Sequence, residues 1–161
     1  MQDFQPQLYV LIQAIVALVL GGALGWEREA AGKWAGLRTH MLVCLAAMLF
    51  VRLGLMLIAQ SANSVSPAAI RADPVHIIAA VATGISFLGA GTIFRDRGGK
   101  SRGLTTAAGL LLTAPIGIAV AMNRYVIAVG VTLICLFVLH SLRRVETSAI
   151  GTKMKMPPNE E

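Results

Sequence analysis

Residues equipped for chemistry are few in this chain, and they gather at three places. Glu27 and Arg28 are adjacent, and Gly36, Arg38, Thr39 and His40 follow within one short segment. Neighbours on a helix do not face each other. Glu27 and Arg28 therefore each need a partner from elsewhere, and Arg38 is the obvious one for Glu27. A second group, Arg95, Arg97, Lys100 and Arg102, surrounds Gly98-Gly99, a pair that marks a turn. Four cations can hold a phosphate, but the phosphate-binding loop motif requires glycine at position 94, which is Phe94. The third feature is Arg52, alone inside an apolar run. An arginine at the centre of a membrane helix costs roughly 2.5–3.5 kcal/mol. It is expected to face the bundle or a wet crevice, with Asp73 as its counter-ion.

The elements that must position these residues follow from composition. Of 161 residues, 56% are apolar and only 14% charged, with mean hydropathy +0.71. Soluble domains average about 25% charged residues, so a soluble fold has nowhere to place this apolar surplus. Disorder is excluded by the same figure, and two cysteines cannot form a disulfide scaffold. A bilayer span needs roughly 20 mostly apolar residues in a helix. Five stretches qualify: 8–26, 41–59, 77–94, 104–122 and 125–142. The segment before the first span has no Lys or Arg, so it lacks the basic region of a cleaved leader and reads as a retained helix. The expected fold is all-α: a compact bundle of five transmembrane helices in one domain, 1–142, followed by a short polar, unstructured cytoplasmic tail, 143–161.

The basic residues orient the bundle. Eleven of the fourteen Lys and Arg fall in 27–40, 95–103 and the tail, whereas only Arg71 and Arg124 fall in the alternate connections. Positive charge is kept on the cytoplasmic side, so the N-terminus is expected outside and the C-terminus inside. Topology thus accounts for most of the +6 net charge, with the lipid bilayer as the expected partner and nucleic acid excluded for want of a basic recognition face. Orientation also separates Glu27 from Asp73 by a hydrocarbon thickness of about 30 Å. They cannot share a magnesium cage of hard oxygens, and no metal-ligand set can be named. His40, His76 and His140 stand apart without metal-site spacing, and no nucleophile–base pair can be assigned. No catalytic residue and no cofactor is expected.

Small residues recur at four-residue intervals, Ala17, Gly21 and Gly25 in the first span and Gly109, Thr113, Gly117 and Ala121 in the fourth, and the third has Ala80 and Gly84 followed by Gly89-Ala90-Gly91. Membrane helices approach closely through such stripes. Pro115 removes a hydrogen bond from the Leu111 carbonyl and is expected to kink the fourth helix. Asn123-Arg124 leaves only a tight turn, so spans four and five should form a hairpin.

The sequences GALGWEREAAGKWAGLRTHMLV and DPVHIIAAVATGISFLGAGTIFRDRGGKSRGLTTAAGLLLTAPIG resemble the two signatures of the MgtC/SapB family of bacterial membrane proteins. The family's motif positions fall on Glu27, Arg28, Gly36, Arg38, Thr39, His40, Asp73, Gly89, Gly91, Arg95, Arg102, Thr105 and Thr106. The chain departs from the pattern at Ala80, often Gln, and at Leu111, commonly Trp. Many members also carry an ACT-like C-terminal domain, and the 19 residues after the fifth span suggest a short form. The resemblance implies inner-membrane residence, adaptation to low magnesium and, in some members, virulence. It implies action on a partner membrane protein rather than enzymatic activity. A small transporter or channel is the alternative, and it would require a homo-oligomer because five helices are few for a pathway.

Overall fold

The computed structural model describes residues 4–62, 73–96 and 98–153, with side chains through Ser141. The expected fold class holds: the molecule is an all-α membrane protein of five helices. They are α1 (Phe4–Ala30), α2 (Leu37–Ala62), α3 (Pro74–Gly91), α4 (Leu104–Ala121) and α5 (Tyr125–Lys153). The first four are long and apolar enough to cross a bilayer, and α5 carries an apolar stretch at Tyr125–Ser141. With no water in the hydrocarbon core, each span must satisfy its own backbone, which a helix does. Many of the largest apolar side chains point outward, among them Val126, Phe87 and Phe137, as a lipid-facing surface requires.

Two lines of close contact hold the bundle together. At Gly21 and Gly25 of α1 an added Cβ would lie 2.7 Å from the His40 carbonyl oxygen and 2.7 Å from the Leu37 Cα, so α1 lies directly on α2. At Gly117 of α4 it would lie 2.2 Å from the Cys44 carbonyl oxygen. Helix α2 is therefore clasped on two sides by glycine-lined grooves, and Ala17, Cys44, Ala47 and Met48 are fully buried between them. The small-residue stripes of the first and fourth spans thus act as backbone contacts. The stripe of the third span does not: only Gly89 approaches a neighbour, Ala107 of α4, while Gly84 and Gly91 face open space.

The helices alternate in direction, giving the bundle two distinct ends. One carries the α1–α2 connection and a β-hairpin of β1 (Phe94–Arg95) paired antiparallel with β2 (Ser101–Arg102). This is the hairpin end. The opposite end carries Asp73 and the α4–α5 turn, in which Asn123 has φ +61°, confirming the expected tight connection. Cys44 and Cys135 are free and buried.

The ends of the helices differ from the pattern read in the sequence. The third helix stops at Gly91, and Phe94 belongs to the hairpin, because the Thr92 N–H closes back on the Gly89 and Ala90 carbonyls. Helix α4 stays helical on both sides of Pro115, where the kink is expected. The Thr113 hydroxyl donates to the Gly109 carbonyl at 2.8 Å rather than to Leu111, and Pro115 lies on the exposed face. Helix α5 continues to Lys153, past the start of the tail expected from composition, and residues 154–161 lie outside the described part.

The hairpin depends on one glycine. Gly103 has φ +88°, and a Cβ there would lie 1.9 Å from the Thr92 carbonyl oxygen. A left-handed conformation strains any other residue by about 1–3 kcal/mol, and here the backbone clash adds to it. Gly103→Ala should therefore open the hairpin, seen as faster limited proteolysis between residues 92 and 103 with the helical circular dichroism signal retained.

Candidate functional site

Helix α1 ends in charge just where α2 begins, and the connection between them builds a buried polar site. Arg28 is 3% exposed, and its guanidinium pairs with the Glu27 carboxylate next door. This corrects the expectation that Arg38 would serve Glu27. Adjacent side chains diverge along a helix, but both are long, and at a helix terminus they can fold toward each other. Arg38 lies exposed instead. Burial explains the choice: an unpaired buried guanidinium would carry the whole desolvation penalty, so the nearest carboxylate is taken up.

His40 completes the site from α2 and is fully buried. Its Nδ1 lies 3.0 Å from the Gly36 carbonyl oxygen, so Nδ1–H donates there and Nε2 is left as an acceptor. Nε2 faces Gly109 of α4, where an added Cβ would stand 3.4 Å away. Both Nε2 and the Glu27 Oε1 are buried without a hydrogen-bond partner. Thr106 of α4 is buried, while Thr105 and Thr39 are exposed. The structure therefore brings together Glu27, Arg28, Gly36 and His40 from the expected set, under the face of α4.

Glu29 was not singled out by residue type, yet it organises the connection. Its Oε2 accepts from the Leu37 N–H at 2.8 Å, satisfying a free donor at the start of α2. An added Cβ at Gly36 would meet that carboxylate at 2.6 Å, so a larger residue there would have to displace the Glu29 side chain. The only sequence signal was position, a carboxylate eight residues before a helix start.

The hairpin holds Arg95 and Arg102 in solvent. Arg102 donates to Asp96 at 2.9 Å, and the Gly98 and Lys100 amides donate to the same carboxylate. The Arg102 guanidinium, followed by the Lys100 and Gly98 amides, holds the Asp96 carboxyl below the usual range. A depressed carboxyl stabilises the hairpin above about pH 4, and that contribution fades as pH falls through its lowered value. Trp34 of the α1–α2 connection packs edge-on against Phe94 at 5.2 Å between ring centroids, tying the two connections together.

Asp73 and Arg52 lie toward the opposite end and do not meet. Asp73 caps α3, accepting from the Val75 N–H at 2.9 Å, and lies 3.2 Å from His76. Arg52 lies over the Tyr9 ring, 5.7 Å from its centroid. The expected Asp73 counter-ion is thus replaced by an aromatic face, because the cap already engages the carboxylate. Beside Tyr9 is a network the sequence did not flag. Gln13, fully buried, donates to the Val120 carbonyl at 2.8 Å and to Asn123 at 2.7 Å. The Tyr9 hydroxyl donates to Asn123 at 2.9 Å and lies 3.0 Å from that of Tyr125. One glutamine in an apolar span gave no sign of its depth or partner.

Comparison with known proteins places this geometry in context. The family model described as "MgtC family" matches residues 14–148, which include both polar ends of the bundle. The chain is 38% identical over 137 residues to the protein named "Putative magnesium transporter YhiD" of Escherichia coli K12, covering 82% of this chain and 61% of that protein. It is 36% identical over 126 residues to "Protein MgtC" of Salmonella typhimurium, covering 78% and 49%. It is 38% identical over 102 residues to "Protein MgtC" of Brucella abortus, covering 63% and 38%. The chain thus spans only about two fifths to three fifths of these relatives' lengths. No solved structure matches it. With a family model covering most of the chain, the protein belongs to the MgtC family.

Proposed function

We propose that this chain is a non-enzymatic inner-membrane protein of adaptation to magnesium limitation, including its virulence-related settings, and that it acts by modulating other membrane proteins. The observation that carries this reading is the buried Glu27–Arg28–His40 site between α1, α2 and α4. A desolvated ion pair is a weak stabiliser, and this one lies where two family signatures converge. It fits a device that holds one conformation for recognition. The hairpin end faces the cytoplasm in this reading, supported by its Lys and Arg.

A single experiment tests the role. A strain lacking the protein, complemented with Glu27→Gln/Arg28→Met, should fail to grow in low magnesium while the variant reaches wild-type levels in the membrane. Normal growth would overturn the proposal. Orientation is checked separately by reporter fusions after residues 68 and 99, which should report outside and inside respectively.

A transporter is the second reading, favoured by the printed name of the E. coli relative. Among the described residues no group of three His, Cys, Asp or Glu comes together. Uptake of a labelled divalent cation by the protein in liposomes, abolished by the same double variant, would favour transport over modulation.

A further inference from the structure

Helices α2 and α3 border a lane that none of the described residues fills. It measures about 1120 Å³ and is lined by apolar side chains, with Leu42, Ala46 and Phe50 on one wall and Ala80, Gly84 and Leu88 on the other. The two helices meet toward the opposite end, where an added Cβ on Gly54 would lie 2.4 Å from Ile77. Toward the hairpin end they part, because the Gly89 face of α3 turns to Ala107 of α4. There the lane adjoins a second recess of about 480 Å³, lined by Trp34, Thr39, Gly91 and Phe94. Val43 and Leu88 border both cavities.

Charge completes the outline. Arg38 stands one helical turn before Leu42, and residues four apart share a helix face. It therefore continues the α2 wall to the mouth of the recess. It is exposed, and none of the ion pairs among the described residues includes it. Across the mouth, Arg102 stands opposite Phe94 in the hairpin register. An apolar lane finished at the hairpin end by a free guanidinium matches an amphiphile with an anionic head. An apolar transmembrane helix would leave Arg38 without an anion.

We propose that the α2–α3 lane is a binding site for an anionic phospholipid of the leaflet on the hairpin side, with acyl chain along Gly84 and phosphate on Arg38. A guanidinium grips phosphate oxygens through two parallel hydrogen bonds, and a basic residue near the surface favours anionic lipid by about fivefold. This site does not depend on the buried Glu27–Arg28 pair.

The test uses the full chain in nanodiscs with spin-labelled phosphatidylglycerol and phosphatidylcholine, reading the motionally restricted fraction of each. The wild type should prefer phosphatidylglycerol. Arg38→Gln should lower that preference about fivefold, Arg38→Lys should keep most of it, and Arg124→Gln at the opposite end should leave it unchanged. Gly84→Leu, which fills the lane, should also lower the preference for phosphatidylglycerol, leaving the lipid restricted around the rest of the bundle. Circular dichroism and the thermal midpoint confirm that each variant is folded. The proposal is overturned by equal preference in wild type and Arg38→Gln. It is also overturned if Gly84→Leu leaves the phosphatidylglycerol preference unchanged, and conversion of a dimer to a monomer by that variant would show that the lane holds a second copy.

Discussion

Glu27→Gln should lower the unfolding free energy of the purified protein by about 3–5 kcal/mol, the cost of leaving one buried charge without its partner. Arg28 is only 3% exposed, and no other carboxylate lies within ion-pair distance of it among the described residues. Arg28→Met removes the opposite charge and should cost less, because the remaining Glu27 side chain is more exposed than that of Arg28 and keeps some contact with water. The double variant Glu27→Gln/Arg28→Met should recover most of the loss, since both desolvation penalties leave together. Denaturant titration in mild detergent checks the three values as a double-mutant cycle. Strict additivity would show that the pair is not coupled and would remove the physical basis of the site. The cycle also makes the growth test interpretable, because a folded double variant that fails in low magnesium has lost function rather than stability.

The second large effect is expected at Gly117. A methyl group there would stand 2.2 Å from the Cys44 carbonyl oxygen and 3.1 Å from the Met48 amide nitrogen. These are backbone atoms of α2, so no side-chain rotation relieves the clash and the helices must separate. Overpacking costs roughly 1–3 kcal/mol and sometimes more, and Gly117→Ala should reach the upper end. The displaced helix would carry His40 with it, since the His40 carbonyl oxygen already abuts Gly21 on the other flank. Gly84→Ala is the internal control, facing open space, and its midpoint should match the wild type. A Gly117→Ala variant as stable as Gly84→Ala would refute the clasp of α2 between α1 and α4.

Both predictions draw on features that differ in how legible they were. The five helices and the tight turn at Asn123 could be read from hydropathy and turn residues, because membrane insertion is decided locally, one helix at a time. The α1 and α4 stripes were legible too, as spacing alone puts small residues on one face. What spacing could not say is which stripes find a neighbour. Ala80 and Gly84 repeat the same pattern in α3, yet they line an open lane, since α3 leans on α4 at Gly89 and parts from α2.

The site was legible only as a list of residues. Glu27, Arg28 and His40 could be marked from type and position, but their partners were misassigned. Arg38 was expected beside Glu27 and stands outside, at the mouth of the lane. Asp73 was expected beside Arg52 and instead caps α3. Gln13 and Glu29 were passed over, although Gln13 joins α1 to the end of α4 and the turn after it, and Glu29 spans the α1–α2 connection.

The sequence by itself determined solvent and secondary structure: a basic, apolar chain of membrane helices with charge gathered at their ends. Those properties depend on each segment's own transfer energy and hydrogen bonding. Only the tertiary structure decided which charges are buried, which cation is left free and which small-residue face is covered. Ion pairing is settled by the desolvation each group suffers in the packed bundle, and that depends on neighbours brought together from separate helices.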